Sequence, residues 1–208
     1  MRRESFQGIW LKLPSTMKFA VLAASAILTT LSLAQGPTIV ITPEDSSVTF
    51  SVKASVAIAG KFDKWDAALT FSSPDVTTGV LDIKVQSASV NTGSGMKNDK
   101  LKGKDFFDAE HDPLITFHST NVIQSSPNTF DIPGTFTIRG VSKPETLTLT
   151  VSGQKGSGIG EIKGTMAFDR KDYGMNSGIP FIKIADRVEV NVDLHVKRVG
   201  GPPLVFKQ

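Results

Sequence analysis

Apolar and polar residues alternate with a period of two through most of the chain after residue 34. In SSVTFSVKASVAI, residues 46–58, the even positions are apolar, namely Val48, Phe50, Val52, Ala54, Val56 and Ile58. DRVEVNVDLHV, residues 186–196, repeats the pattern, and helical periodicity is nearly absent. Because successive side chains of a strand point to opposite faces, each segment predicts one long strand with a dry face and a wet face.

About eight such segments, separated by Gly, Pro, Asn and Ser, predict an all-β antiparallel domain. A β-sandwich and a closed up-and-down barrel both fit, and the length of the strands favours an extended eight-stranded antiparallel barrel. The apolar phase changes between Phe62 and Trp65, which predicts a bulge near Asp63 and Lys64. The long connection Asn91–Pro113 is expected to contain one helical turn near residues 97–102, and a connection of this length is typically functional.

The inward-facing positions leave open whether the barrel is filled or hollow, because apolar stripes are usually ordinary packing. Small or polar residues on the dry face favour a cavity, since a solid core would need bulk there; they are Ala54, Ser87, Ser89, Ser119, Gly134 and Gly164. Continuing the inward phase past Phe168 also places Arg170 and Asp172 inside. Two interpretations remain equal at this point: a rim where Arg170 pairs with Asp172 or Asp186, or a site that meets a ligand head group.

Residues 1–34 have the composition of a secretory signal peptide. Lys18 precedes an apolar run that closes on Ser32-Leu33-Ala34, so cleavage is expected after Ala34, and translation starts at either Met1 or Met17. The run is too short and too rich in Ala, Ser and Thr to favour a membrane anchor. A periplasmic or secreted location follows from this expectation, with the barrel over residues 35–200 and a loose tail over residues 201–208.

Composition and motifs argue against several classes of function. The chain has no cysteine, and its net charge of +3 comes from the leader, so the rest of the chain is neutral and has no basic face for nucleic acid. His111 lies in an acidic loop without a metal-ligand spacing, while His118 and His195 fall on wet faces. No nucleophile elbow, phosphate loop or catalytic triad is recognisable, so the sequence predicts neither an enzyme, a metal site nor a cofactor.

Three ordered motifs carry a resemblance to a known family. They are SASVNTGSGMKNDKLKGKDFFDAEHDPLITFHS, GTFTIRGVSKPETLTL and FDRKDYGM. The chain resembles the YceI-like family of secreted, lipocalin-like proteins that bind polyisoprenoid lipids, over roughly Thr42 to Lys197. It departs from the family at Asp45-Ser46-Ser47 and Ala54, where the family often has His, and at Asn98-Asp99, where it usually has Arg-Asp.

The resemblance implies an eight-stranded barrel whose apolar pore holds an isoprenoid chain, such as a quinone tail, without catalysis. The residues expected to line this pore are Phe50, Val52, Phe71, Ile83, Phe117, Phe136, Ile138, Leu147, Leu149, Met166, Phe168, Val190 and Val192. The polar residues expected at its mouth are Ser89, Thr92, Asp99, Ser119, Arg170 and Asp172.

The leading hypothesis is therefore an exported, non-catalytic carrier of a long-chain isoprenoid lipid. The alternative is a secreted structural or interaction module with a filled core, which would act through the loops at residues 91–113 and 171–180. A lipid-modifying enzyme would have only Arg170, Asp172 and Asp99 to work with. The sequence leaves open a homodimer and a membrane protein that donates or accepts the lipid.

Overall fold

The computed structural model describes residues 35–55, 57–153, 158–178 and 183–207. The predicted signal peptide, its cleavage after Ala34 and the choice of start codon lie outside these residues. Within them, no helix is long and apolar enough to cross a membrane.

The described residues form strands, one short α-helix and three 3-10 turns. The strands are β1 (Thr38–Ala54), β2 (Ile58–Phe62), β3 (Trp65–Phe71), β4 (Gly79–Gln86), β5 (Val90–Asn91), β6 (Leu114–Ser119), β7 (Ile123–Ser126), β8 (Thr129–Ile138), β9 (Val141–Gly153), β10 (Ile159–Asp169) and β11 (Ile184–Gly200). The helix α1 spans Gly95–Lys102, and the 3-10 turns span Val76–Thr78, Ser87–Ser89 and Arg170–Tyr173.

The strands close into an eight-stranded antiparallel barrel. Hydrogen-bonded neighbours follow the order β3-β4-β6-β8-β9-β10-β11-β1-β2-β5, with β7 beside β8. β2 continues into β3 through a bend at Asp63 and Lys64, and β4 continues into β5 through the turn Ser87–Ser89. The Asp63 amide donates to the Ser89 carbonyl (3.1 Å), and the Gln86 amide donates to the Lys64 carbonyl (3.0 Å). The predicted barrel and the predicted irregularity at Asp63 and Lys64 are thus confirmed.

The period-two pattern sets which side chains face inward. In β8 the residues Phe130, Ile132, Gly134, Phe136 and Ile138 are all buried, as their spacing predicts. β10 and β11 likewise bury alternate residues, and their register pairs Phe168 with Val188 and Gly164 with Val192. The apolar cluster inside the barrel is continuous along these strands.

Residues 46–58 are not the single strand that their alternation predicts. β1 ends at Ala54 and β2 begins at Ile58, and the two pair antiparallel, with Val52 opposite Ile58. The alternation continues across the reversal because the residues on both sides of it face the interior, so the pattern alone does not show the turn. β1 instead extends toward the N-terminus as far as Thr38, where it pairs with Gly200 of β11.

The C-terminal tail is not loose over residues 201–207, contrary to the prediction. Val205 forms a bridge with Asp75, and its amide donates to the Pro74 carbonyl (2.8 Å). The Phe206 ring lies 6.0 Å from the Phe130 ring between centroids. Turn-rich composition does not show that a segment pairs with a loop that is distant in the sequence, so this contact was missed.

Candidate functional site: an apolar cavity under a cap

The barrel has two ends that differ in packing. The capped end carries the end of β1 and the start of β2, residues 91–113, the turn Arg139–Gly140 and residues 170–178. The packed end carries residues 35–37, 72–78, 120–128 and 201–207. At the packed end Phe130, Ile132 and Leu194 are 1–2% exposed. The interior is therefore filled at this end.

Toward the capped end the interior is hollow. The cavity volume is about 90 Å³, within about 930 Å³ of space between atoms that includes the part open to solvent. Among the described residues that border it, Thr116 and Arg170 are the only polar ones. The others are Val48, Phe50, Val52, Ile58, Phe62, Ile83, Val85, Leu101, Phe106, Phe107, Ile115, Phe117, Phe136, Ile138, Leu147, Met166, Phe168, Met175, Ile184, Val188, Val190 and Val192. The barrel is thus filled at the packed end and hollow toward the capped end, so both alternatives that the sequence left open apply, each to one part.

A cap made of α1 and the loop after it, residues 95–113, covers this end. Ser94 precedes the helix in an extended conformation and Gly103 ends it, which fits the expected helical turn within residues 97–102. Leu101 of the helix is buried, and Phe106 and Phe107 of the loop reach the cavity. The Phe107 ring lies 6.1 Å from Phe50 and 5.7 Å from Phe62, so the cap is held to the wall by aromatic packing.

Arg139 joins the cap to the neighbouring loop. Arg139 and Gly140 have φ of 54° and 68°, as in the two-residue hairpin turn that demands positive φ at both positions. The Arg139 guanidinium donates to the Lys104 carbonyl of the cap (2.9 Å) and to the Gly174 carbonyl (2.5 Å). A non-glycine residue in this conformation is uncommon. The Arg139 side chain thus connects the cap with the loop around Gly174.

Arg170 is a buried cation at the capped end of the cavity and is 6% exposed. Its guanidinium donates to Asp186 (3.0 Å) and to the carbonyls of Ala185 (3.2 Å), Ser177 (3.0 Å) and Met175. Of the two carboxylates predicted as partners, Asp186 is the one that pairs. A hydrogen bond from Lys171 and the charges of Lys171 and Arg170 lower the pKa of Asp186, so this carboxylate is ionised at neutral pH.

Tyr173 ends the 3-10 turn that Arg170 begins, and its side chain is fully buried. Its ring lies 5.5 Å from Phe136 and 5.2 Å from Phe168, both approximately edge-on. Its hydroxyl donates to Glu145 of β9 (3.0 Å). Burial, and then the hydrogen bond to Glu145, raise the pKa of Tyr173, which keeps the hydroxyl protonated as a donor.

Most of the residues predicted to line a pore border this cavity. Of the thirteen, all but Phe71 and Leu149 do so. Leu149 packs against Gly164 farther toward the packed end, and Phe71 packs against Gly79. That any of these residues contacts a ligand stays a prediction. Phe106, Phe107 and Leu101 were missed because they lie outside the alternating strands, although two adjacent phenylalanines in a polar loop were a usable signal.

Only Arg170 of the six predicted mouth residues borders the cavity. Ser119 is buried beyond Phe117, where its hydroxyl accepts from the Leu81 amide (2.8 Å), so its placement at a mouth was wrong. Asp172 is exposed and lies 3.7 Å from Lys143, so its predicted inward orientation was also wrong.

The remaining three predicted mouth residues belong to the outside of the capped end. Ser89 bonds the Lys64 amide (3.0 Å), and Asp99 is exposed on α1. The Thr92 hydroxyl donates to Asn98 Oδ1 (2.8 Å), so Asn98, one of the departures from the family pattern, fixes the start of the cap. None of the three borders the cavity.

The small residues on the dry face are not what makes the barrel hollow. A Cβ on Gly134 would lie 2.6 Å from the Phe117 ring, and one on Gly164 would lie 2.9 Å from Leu149. Ser87 is fully buried and donates to the Asp112 carbonyl (3.0 Å). These positions are small because neighbours already occupy the space, so the cavity was expected for a reason that the structure does not support.

The histidines lie at the surface, as predicted. His118 contacts Asp82 (2.6 Å), and His111 contacts Asp108 (2.8 Å), whose hydrogen bond and charge raise the pKa of His111. His195 lies within 3.9 Å of Glu161 and Asp193. Glu161 also pairs with Lys163 at 2.8 Å, so a cation already lies beside this carboxylate.

Comparison with known proteins decides the family. A family model described as a YceI-like domain matches residues 40–196. The chain belongs to the YceI-like family. A UPF0312 protein of Pseudomonas savastanoi pv. phaseolicola is 26% identical over 133 residues, which cover 62% of this chain and 69% of that protein.

Two solved structures have a similar fold. BcnA of Burkholderia cenocepacia superposes with a TM-score of 0.68 at 27% identity, over 75% of this chain and 99% of that one. A domain of Saccharophagus degradans, described as a polyisoprenoid binding domain implicated in plant cell wall breakdown, gives a TM-score of 0.60 at 16% identity, over 78% of this chain and 99% of that one. At that identity the second likeness concerns the fold alone.

Proposed function

We propose that the protein is an exported, non-catalytic binding protein that holds the chain of a polyisoprenoid lipid, such as a prenyl quinone, in its apolar cavity. The observation that carries the proposal is the lining of the cavity, in which Arg170 and Thr116 are the only polar residues among those described. The described part of the lining suits a hydrocarbon and contains no pair of catalytic groups. Export to the periplasm or beyond, after cleavage near Ala34, belongs to the same proposal.

The energetics of an isoprenoid chain fit such a cavity. Burying several hundred Å² of apolar surface, at about 25 cal/mol per Å², contributes on the order of 10 kcal/mol before the ordering of a flexible chain is deducted. Branched methyl groups pack well against Val, Ile and Phe side chains. Affinity therefore needs few polar contacts, and the binding site needs no cofactor or metal.

Arg170 sets where a head group would lie. Its guanidinium is already paired with Asp186, so the net charge at this end of the cavity is small. A neutral acceptor such as a quinone carbonyl fits this environment better than a free anion, because a second negative charge would have to compete with Asp186. The head group lies at Arg170, and the tail extends among the phenylalanines toward the packed end.

The test compares two tryptophan variants of neighbouring inward positions on β4. Ile83 borders the cavity, whereas Leu81 is buried at the packed end and does not border it. Ile83→Trp should fill the cavity and abolish co-purified prenyl lipid at a modest cost in stability. Leu81→Trp should retain the lipid while overpacking costs on the order of 1–3 kcal/mol.

The lipid is identified by organic extraction of the purified protein and mass spectrometry. Wild-type protein is expected to release a prenyl lipid and to take up an added prenyl quinone. Wild-type protein that is empty and also rejects added prenyl quinones would contradict the proposal.

A further inference from the structure

The wall of the barrel has an unpaired seam next to the cavity. β9 and β10 are paired from Gly153 opposite Gly160 to Thr148 opposite Thr165, and no further. Beyond that point Val141–Leu147 of β9 pair with β8, and Met166–Asp169 of β10 pair with β11. Leu147, Met166 and Phe168 in this part of the two strands border the cavity. The interior is thus separated from solvent here by side chains rather than by a hydrogen-bonded ladder.

A groove runs along the outside of the seam. It is bordered by Thr146 and Thr148 of β9, by Thr165 and Ala167 of β10, and by residues of β11. Met166 and Val190 border both this groove and the cavity. Val190 is not fully buried although its position in β11 faces inward. The wall is therefore thin between the groove and the cavity.

Tyr173 holds the seam closed. Its hydroxyl donates to Glu145 of β9 (3.0 Å), while its ring packs on Phe168 of β10. Lys143 of β9 adds a contact to Asp172 (3.7 Å), and its ammonium lies 5.9 Å from the centre of the Tyr173 ring. The turn Arg170–Tyr173 thereby bridges β9 and β10 where their ladder has ended, through one hydrogen bond and exposed charges that are individually weak.

Elsewhere, the residues that the structure describes close the cavity more strongly. The packed end is filled by fully buried side chains and crossed by the tail. A second unpaired seam runs between β3 and the part of β1 before Thr49, but none of the described residues that border the groove outside it borders the cavity. The capped end is held by aromatic packing of Phe107 and by the two bonds of Arg139. We infer that lipid enters and leaves through the β9–β10 seam, with Tyr173 as the gate. This inference rests on the proposed function and adds a route to the same cavity.

A disulfide across the seam tests the route. Extending the register by two residues puts Thr146 opposite Ala167, where the ladder is absent, and the chain has no cysteine of its own. A disulfide holds its two Cα atoms about 4.4–6.8 Å apart. Oxidation of the variant Thr146→Cys/Ala167→Cys should therefore tie β9 to β10 and prevent the seam from opening. Thr148→Cys/Thr165→Cys is the matched control, since it joins the same two strands where they are already paired.

The measurement is the rate of uptake and release of a geranylgeranyl chain carrying a nitrobenzoxadiazole fluorophore, from phosphatidylcholine vesicles. Oxidised Thr146→Cys/Ala167→Cys should exchange the probe at least tenfold more slowly than the same protein after reduction, and the control pair should stay within twofold of wild type. Tyr173→Phe, which removes the bond to Glu145 alone, should accelerate both uptake and release at least threefold with little change in affinity.

The two proposals fail in different ways. If wild-type protein exchanges the probe but the seam disulfide does not slow it, or Tyr173→Phe does not accelerate it, the route is wrong and the carrier function stands. If Arg139→Asn accelerates exchange while the seam disulfide has no effect, the lipid passes under the cap, and the inference is overturned. If wild-type protein takes up no prenyl probe at all, the proposed function fails, and the gate fails with it.

Discussion

Arg170 shows how one residue places a charge beside an apolar cavity without an unpaired ion. Two loop carbonyls, the Ala185 carbonyl of β11 and Asp186 accept its hydrogen bonds, so the loop around Met175 and the start of β11 are organised about a single side chain. Asp186 in turn accepts from Lys171 (2.7 Å). A buried cation costs free energy unless it is paired in this way, and removal of its partner carboxylate leaves that cost uncompensated.

The ion pair makes stability depend on pH. The pKa of Asp186 is lowered in the folded protein, first by its hydrogen bond with Lys171, so its stabilisation is present above the unfolded pKa of about 3.8 and is lost as the pH falls through the lower folded pKa. Asp186→Asn should be less stable than wild type at pH 7, and the difference should shrink steadily from pH 5 to pH 2. Urea unfolding monitored by circular dichroism measures both. A difference that stays constant over this range would mean that the carboxylate charge is irrelevant.

At the scale of elements, Arg139 joins the cap to residues 171–178, which follow β10. Neither segment is part of the barrel ladder, and segments of this kind open with less free energy than the strands beneath them. The hairpin turn that presents Arg139 belongs to the ladder, since Ile138 and Val141 pair on either side of it. From this turn, one side chain thus bonds both the cap and the segment around Gly174.

Arg139→Asn separates the turn from the restraint. Asparagine is well tolerated at positive φ, so the hairpin should be preserved, while both bonds to Lys104 and Gly174 are lost. Amide hydrogen exchange of residues 95–113 and 171–178 should become at least fivefold faster, with β8 and β9 unchanged. Arg139→Lys serves as the comparison, because it keeps the positive charge but lacks the planar guanidinium that donates to both carbonyls. Equal exchange in Arg139→Asn and wild type would show that aromatic packing alone holds the cap.

Predictions from the sequence succeeded where side chains alternate and failed where contacts are made at long range. The spacing of Phe130, Ile132 and Phe136 specified their burial, because a strand offers only two faces. It could not distinguish Ile132, which fills the packed end, from Phe136, which borders the cavity, since both face inward. The partner of Arg170 and the aromatic contacts of Phe107 depend on how loops meet, which no period encodes.

For the whole molecule, the tail contributes to closing the packed end. Removal of residues 204–208 eliminates the contact of Phe206 with Phe130, the backbone bonds of Val205 and the bond of the Lys207 amide to Gln124 (2.8 Å). We expect the free energy of unfolding to fall by about 2 kcal/mol, from lost apolar burial and hydrogen bonds. Affinity for a prenyl lipid should stay within twofold, because the cavity lies toward the other end.

Phe206→Ala is the control for the ring alone, and it should cost about half as much, since Phe206 is 39% exposed. Urea denaturation provides both values. A truncated chain with wild-type stability would show that the tail adds nothing, and a large loss of lipid affinity would show that the two ends are coupled.

β1 pairs with β11, from Thr38 opposite Gly200 to Ala54 opposite Ile184. The first strand to leave the ribosome therefore has to wait for the last one, and most of the chain is synthesised before the two can meet. Contacts of such wide sequence separation form slowly, and the barrel cannot close before β11 has been made. Until β11 has been made, a nascent chain therefore lacks a closed barrel and can still pass through a narrow channel as an extended polypeptide.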